Sequence, residues 1–122
     1  MTARELSMFE LARRASLRSD YPRYQLGAVI SRKGRVLGTG CNRRKTHTRS
    51  PSPWRYLHAE IDAALGIPVQ ELYGAHVYVY RALASGRPGL SRPCVHCARY
   101  LRGLGISRVY YTTDSGYTWE AI

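Results

Sequence analysis

Pro93-Cys94-Val95-His96-Cys97-Ala98-Arg99-Tyr100-Leu101-Arg102-Gly103-Leu104-Gly105-Ile106, running on into Ser107-Arg108-Val109-Tyr110-Tyr111-Thr112, is the stretch on which the fold turns. The residues from Cys94 to Leu104 read as a helix that opens just after Pro93 and is closed by Gly103 and Gly105. Residues 107–112 read as a strand, rich in β-branched and aromatic side chains. Upstream, Ala75-His76-Val77-Tyr78-Val79-Tyr80 is a second strand, and a Gly/Pro/Ser loop over 84–92 separates it from the helix.

Working outward, His58 to Leu65 is a helix stopped by Gly66, with Pro68 beyond. Before it comes a hairpin: Leu26–Ser31 and Val36–Cys41 flank a turn at Arg32-Lys33-Gly34-Arg35. Gly27, Gly38 and Gly40 interrupt those strands, as expected of a bulge or a close backbone approach. Residues 3–18 form a first helix, with Leu6, Phe9, Leu11, Ala12 and Ala15 near helical spacing and Pro22 after its end. The order is α-β-β-α-β-α-β. Strand–helix–strand alternation after a hairpin implies an α/β fold, a three-layer α-β-α sandwich with a mixed central sheet. After Thr113 only Asp114 to Ile122 remains, too short for a further helix plus strand. The sheet is therefore expected to be truncated at its C-terminal strand, with the edge at 107–112 exposed.

At 122 residues the chain is expected to be one domain, 1–122, and 44% apolar residues are enough for a core without disulfides. No apolar run reaches the ~18 residues of a membrane span, and Met1 to Leu6 shows no secretory pattern, so a cytoplasmic protein is expected. Nineteen Lys and Arg against eight Asp and Glu leave +11, and seventeen of the nineteen are arginine. Arginine forks match phosphate oxygens, so an anionic partner, nucleotide or nucleic acid, is expected.

Two short motifs bear chemistry: His58-Ala59-Glu60 and Pro93-Cys94-Val95-His96-Cys97, each opening a helix. Cys94 and Cys97, three apart, place two sulfurs on one helix face, and a helix N-terminus is expected to lower their thiol pKa. One imidazole nitrogen with two thiolates supplies three ligands of a tetrahedral Zn²⁺ and leaves a fourth position for water, as in a catalytic site. Glu60, two residues from His58, is placed to take a proton from that water without ligating the metal. Cys41 is read as a small buried residue rather than a fourth ligand, and His96 as turned away from the sulfur face.

Taken together, H-x-E followed by P-C-x-x-C is the signature of zinc nucleobase deaminases. The sequence resembles the cytidine deaminase superfamily, in particular its deoxycytidylate deaminase-like branch, over roughly residues 5–113. Further matching stretches are Gly27-Ala28-Val29-Ile30, Gly40-Cys41-Asn42, and Ala98-x-x-Leu101-x-x-Leu104-Gly105-Ile106-x-x-Val109-Tyr110. The resemblance implies hydrolytic loss of an exocyclic amine, from C4 of cytosine or C6 of adenine, with Zn²⁺ held by His58, Cys94 and Cys97 and the proton shuttled by Glu60. It also implies that Asn42 bonds the substrate's sugar, and that the backbone N–H of Ala59 and C=O of Arg92 hold the base. Among the remaining residues, Tyr111 is a candidate for stacking on a base.

The loop over 42–57 has no acidic residue. Arg43, Arg44 and Lys45, with Trp54 and Tyr56 further on, offer phosphate contacts and base stacking. Three readings follow. The first is deamination of a free nucleotide (dCMP or CMP to dUMP or UMP). The second is a polynucleotide deaminase acting on cytosine or adenine in single-stranded DNA or RNA. The third is a non-catalytic zinc-stabilised nucleic-acid-binding module, which Glu60 argues against because a structural site has no use for a proton shuttle. A homo-oligomer is expected from the exposed edge at 107–112 and from the apolar sides of the 58–65 helix.

Overall fold

The computed structural model describes residues 1–44 and 57–122. Lys45 and Trp54, expected at phosphate or nucleic acid, lie outside the described residues. Helix α1 spans Ala3–Ser16. A capping box starts it: Thr2 Oγ1 accepts from the Glu5 N–H, and a Glu5 carboxylate oxygen accepts from the Thr2 N–H. Met8, Phe9, Ala12, Ala15 and Ser16 form its buried stripe.

Strands β1 (Gln25–Arg32) and β2 (Arg35–Cys41) form the expected antiparallel hairpin, with Lys33 and Gly34 at positive φ in the turn. Helix α2 (Ala59–Leu65) begins one residue later than its sequence pattern, because His58 is extended and acts as N-cap. A one-turn helix α3 (Val69–Leu72) follows Pro68, and strand β3 spans His76–Ala82. Inside the loop over 84–92 lies a two-residue strand β4 (Pro88–Gly89) that folds back on the end of β3. Helix α4 (Val95–Gly103) and strand β5 (Arg108–Thr113) complete the crossover, with β3 and β5 parallel.

The tail departs from its expected form. No helix intervenes; instead a tight turn reverses the chain at Thr113–Gly116, and strand β6 (Gly116–Ala121) pairs antiparallel along β5. The sheet order is β2-β1-β3-β5-β6, with β4 attached to β3. The edge at 107–112 is therefore covered, which removes that argument for self-association. Tyr117 stacks on Phe9 at 4.4 Å, and Trp119 lies under the Arg108 guanidinium at 4.2 Å. Helix α2 is also buried on both sides within this chain, between the sheet and α4, so its apolar faces need no symmetric copy.

Side-chain alternation divides the core. Val29, Tyr78, Tyr80 and Tyr110 pack beneath α1, while Ala28, Ile30, Val77, Val79 and Val109 pack against α2 and α4. The result is the three-layer arrangement with a mixed sheet. Among the described residues no helix is long and apolar enough to cross a membrane.

The hairpin glycines mark close backbone approaches. A Cβ on Gly40 would sit 2.4 Å from the Ala63 nitrogen and 2.7 Å from the Ala59 carbonyl oxygen, so α2 lies almost on β2. Gly40→Ala is expected to destabilise the chain by about 1–3 kcal/mol, because backbone rather than a side-chain tip must give way. Urea denaturation measures this, and an unchanged midpoint would mean that α2 is not seated on β2.

Candidate active site

Three features of the chain bring the site together. His58 ends the segment entering α2, Cys94 is the N-cap of α4, and Cys97 lies one turn into α4. Cys94 Sγ accepts from the Cys97 N–H at 3.5 Å, so this thiol is a cap rather than a member of the helix. The two helices meet through Leu57, Ile61, Cys97, Leu65 and Tyr100, which sets His58 beside the sulfurs. His58 Nδ1 is 3.2 Å from Cys97 Sγ, and the donor atoms of His58, Cys94 and Cys97 all lie within 4.8 Å of one another.

This geometry fits zinc. With bonds of about 2.0 Å to nitrogen and 2.3 Å to sulfur, one nitrogen and two sulfurs on one tetrahedral ion stand about 3.5–3.8 Å apart, inside the 4.8 Å that bounds the donor atoms here. The donor set, one imidazole and two sulfurs, is also the borderline-soft set that Zn²⁺ prefers. The expected lowering of thiol pKa is not what α4 provides at Cys97. Burial pushes this thiol well up, and Glu60 and Cys94 add to the rise. An ionised sulfur there calls for a cation. Cys41 is buried away from the cluster, its N–H donating to Asp62 Oδ2 at 3.0 Å.

Glu60 is the second part of the site. Its carboxyl is buried, and burial raises its pKa to about 7, partly offset by its own backbone N–H. Glu60 and His58 open onto a cleft of about 330 Å³, whose other walls include Tyr24, Leu26, Arg81, Ser91, Arg92 and Cys94.

The loop that carries Cys94 is pinned by two hydroxyls. Ser91 Oγ accepts from the Thr112 N–H and donates to the Val79 carbonyl, both at 2.8 Å. Thr112 Oγ1 accepts from the Arg81 N–H at 3.3 Å and donates to the Gly89 carbonyl at 2.5 Å. These contacts fasten the loop across β3, β4 and β5 just before Pro93. No sequence pattern announces them, since isolated Ser and Thr are common in loops.

The other expected contact residues divide. Ala59 is buried at the head of α2 beside His58. Arg92 lines the cleft, and its side chain is bound to Glu120, Nε donating at 2.9 Å. Asn42 and Tyr111 are not brought to this cleft. Asn42 is fully buried, its Oδ1 accepting from the Leu26 N–H and the Ser19 hydroxyl and its Nδ2 donating to the Tyr24 carbonyl. It ties the 19–26 segment to the end of β2. Tyr111 packs in the core against α2 and α4, and its hydroxyl donates to Glu120. Arg43 is paired with Asp62 at 3.1 Å, and the Arg44 N–H bonds Asp20. Asp62, Ser91, Thr112 and Arg81 are the site's supporting residues that sequence reasoning missed.

Residues 2–113 match the family described as the cytidine and deoxycytidylate deaminase zinc-binding region. A protein from Mycobacterium phage D29 named deoxycytidylate deaminase is 30% identical over 126 residues, covering 86% of this chain and 91% of its own length. Among solved structures, the dCMP deaminase of cyanophage S-TIM5 aligns with a TM-score of 0.67 at 22% identity, covering 93% of this chain and 86% of that one. The cytidine deaminase of Burkholderia pseudomallei aligns with a TM-score of 0.68 at 21% identity, covering 99% and 93%. These structural likenesses speak for the fold. The family match and the identity to the phage protein go further: the chain belongs to the cytidine and deoxycytidylate deaminase zinc-binding family, a family of hydrolytic deaminases.

Proposed function

We propose that this chain, as a single domain over residues 1–122, is a zinc-dependent hydrolase that removes the amine from the cytosine base of a free nucleotide, converting dCMP or CMP to dUMP or UMP and ammonia. One observation carries the reading: a buried carboxyl, Glu60, opens into the same cleft as His58 and Cys94, whose donor atoms converge with that of Cys97. The naming of the phage relative as a deoxycytidylate deaminase supports the base and the phosphate. So does the cyanophage structure described as a complex with dCMP and dUMP.

In this reading His58, Cys94 and Cys97 would hold a zinc ion, which when bound would supply a water acidic enough to act as a nucleophile near neutral pH. Glu60 would take one proton from the attacking water and deliver it to N3 of the ring as oxygen adds to C4. It then carries the remaining hydroxyl proton to the exocyclic nitrogen. The C4–N bond breaks, C4=O forms, and one ammonia leaves for one water consumed, with no change of oxidation state. The carboxyl suits both halves because one side chain, buried at the wall of the cleft, can accept a proton and then release it. The Ala59 N–H and Arg92 C=O flank the base.

Product analysis tests this. Purified zinc-loaded protein is incubated with dCMP, CMP, deoxycytidine and a cytosine-containing single-stranded oligonucleotide. Ammonia release and a uracil product from a free nucleotide are expected. Conversion of the oligonucleotide alone would move the function to the polynucleotide reading, and zinc binding with no deamination of any substrate would overturn the enzyme.

A further inference from the structure

Strand β3 carries a side chain that the mechanism above does not use. On its α2/α4 face the alternating positions Val77 and Val79 belong to the apolar core. The next position on that face is Arg81, which lines the cleft with His58 and Glu60. Its backbone is fixed on both sides, opposite Leu26 of β1 and Gly89 of β4. A Cβ on Gly89 would stand 3.3 Å from Arg81 Cδ, so the stem of the arginine lies against that glycine. Its guanidinium sits over the Tyr24 ring, 5.3 Å from the centroid. A guanidinium over a ring face is held there by cation–π attraction, which uses none of its N–H donors.

Those donors are underused. Arg81 Nε is buried and has no hydrogen-bond partner among the described residues. Buried donors are nearly always paired, so one left unpaired at the wall of a cleft indicates a ligand group. Neighbouring arginines do not share this state: Arg92 is bound to Glu120 and Arg43 to Asp62. Among the described residues no carboxylate lies within 4.0 Å of Arg81. A positioned fork with free donors and no counter-charge is built for a planar or tetrahedral oxyanion, and phosphate is the oxyanion that accompanies a nucleobase.

We propose that Arg81 is the phosphate-binding residue of the cleft and sets the preference for phosphorylated substrates over nucleosides. The proposal rests on the deaminase reading for the identity of the base, but not for the presence of the anion. The phosphate is either the monoester of a free nucleotide or a diester of a strand, and both present the same oxygens to the fork.

The test compares wild type with Arg81→Gln and Arg81→Lys in two readouts. The first is kcat/KM on dCMP, deoxycytidine and an oligonucleotide without terminal phosphate. The second is calorimetric binding of dUMP and deoxyuridine, which no turnover complicates. In Arg81→Gln the ratio of kcat/KM for dCMP over deoxycytidine is expected to fall about 10- to 100-fold, mainly through KM, as for loss of a charge-assisted hydrogen bond. The dUMP over deoxyuridine affinity ratio should fall by a similar factor. Arg81→Lys, which keeps the charge and loses the fork, should fall between. If the oligonucleotide rather than dCMP shows the loss, the proposal stands with the diester as its source. Ratios unchanged within twofold, or equal losses on phosphorylated and unphosphorylated compounds, overturn it and make Arg81 a packing residue for Tyr24. Wild type inactive on every substrate overturns the deaminase reading instead, and the binding ratios still decide Arg81.

Discussion

Glu60→Gln is expected to lower kcat at least about 10²-fold while leaving zinc content and fold intact, by the usual size of general acid–base effects. The amide has nearly the shape of the carboxyl it replaces, so the walls of the cleft should not move. It cannot accept a proton from water and return it to the base, and both transfers run through this side chain. The three donor atoms that would hold the metal belong to other residues, so metal content has no reason to change. Stability has a sign of its own. Burial raises the folded carboxyl to about 7, above its unfolded value. Between those two values the folded, metal-stripped chain binds more protons than the unfolded one, so its stability falls as pH rises through that window. Glutamine removes that slope. Metal-stripped Glu60→Gln should therefore be at least as stable as wild type at neutral pH, which thermal unfolding across pH measures. Near-normal turnover by the variant would remove Glu60 from the mechanism.

Local chemistry makes much of this molecule legible in its sequence. The metal donors and Glu60 sit in two short segments whose spacing is itself the signal, and each segment opens a helix. The glycines of β1 and β2 announce close approaches, and Gly40 is where α2 rests. What escapes depends on contacts between distant segments. Strand β6 is hidden because the nine residues after Thr113 are too few for a helix plus a strand. Yet Asp114-Ser115-Gly116 ahead of the alternating Tyr117-Thr118-Trp119 is a turn followed by a strand, and Gly116 takes the positive φ such a turn needs. The basic run after Asn42 stands out through its charge. In the fold, Arg43 is neutralised by Asp62, nineteen residues later, a pairing no local pattern predicts. Arg81 reads like any arginine after a strand. Its meaning emerges only once β1, β4 and Tyr24 surround it. Asn42, matched to a sugar contact by resemblance, also holds the 19–26 segment through hydrogen bonds that no local pattern predicts.

Cys97→Ala is the substitution expected to cost the fold most, and it should do so through the metal. The side chain is wholly buried between α2 and α4, so truncation alone removes part of the small cluster with Leu57 and Ile61. The larger loss is linkage. Anything that binds only the folded chain stabilises it in proportion to the logarithm of its concentration over its dissociation constant, about 4 kcal/mol at a thousandfold excess. Two helices that otherwise meet through few side chains would also lose the tie that holds His58 to the sulfurs. Wild type is expected to carry one zinc per chain by elemental analysis, and Cys97→Ala much less. A chelator should lower the wild-type unfolding temperature toward that of the variant and leave the variant almost unmoved. That asymmetry separates metal linkage from simple loss of packing, which would lower both proteins' stability without any dependence on chelator. A Cys97→Ala protein that retains a full zinc, or a wild type indifferent to chelator, would show that these three side chains are not the metal's ligands, and the catalytic reading of the cleft would fall with them.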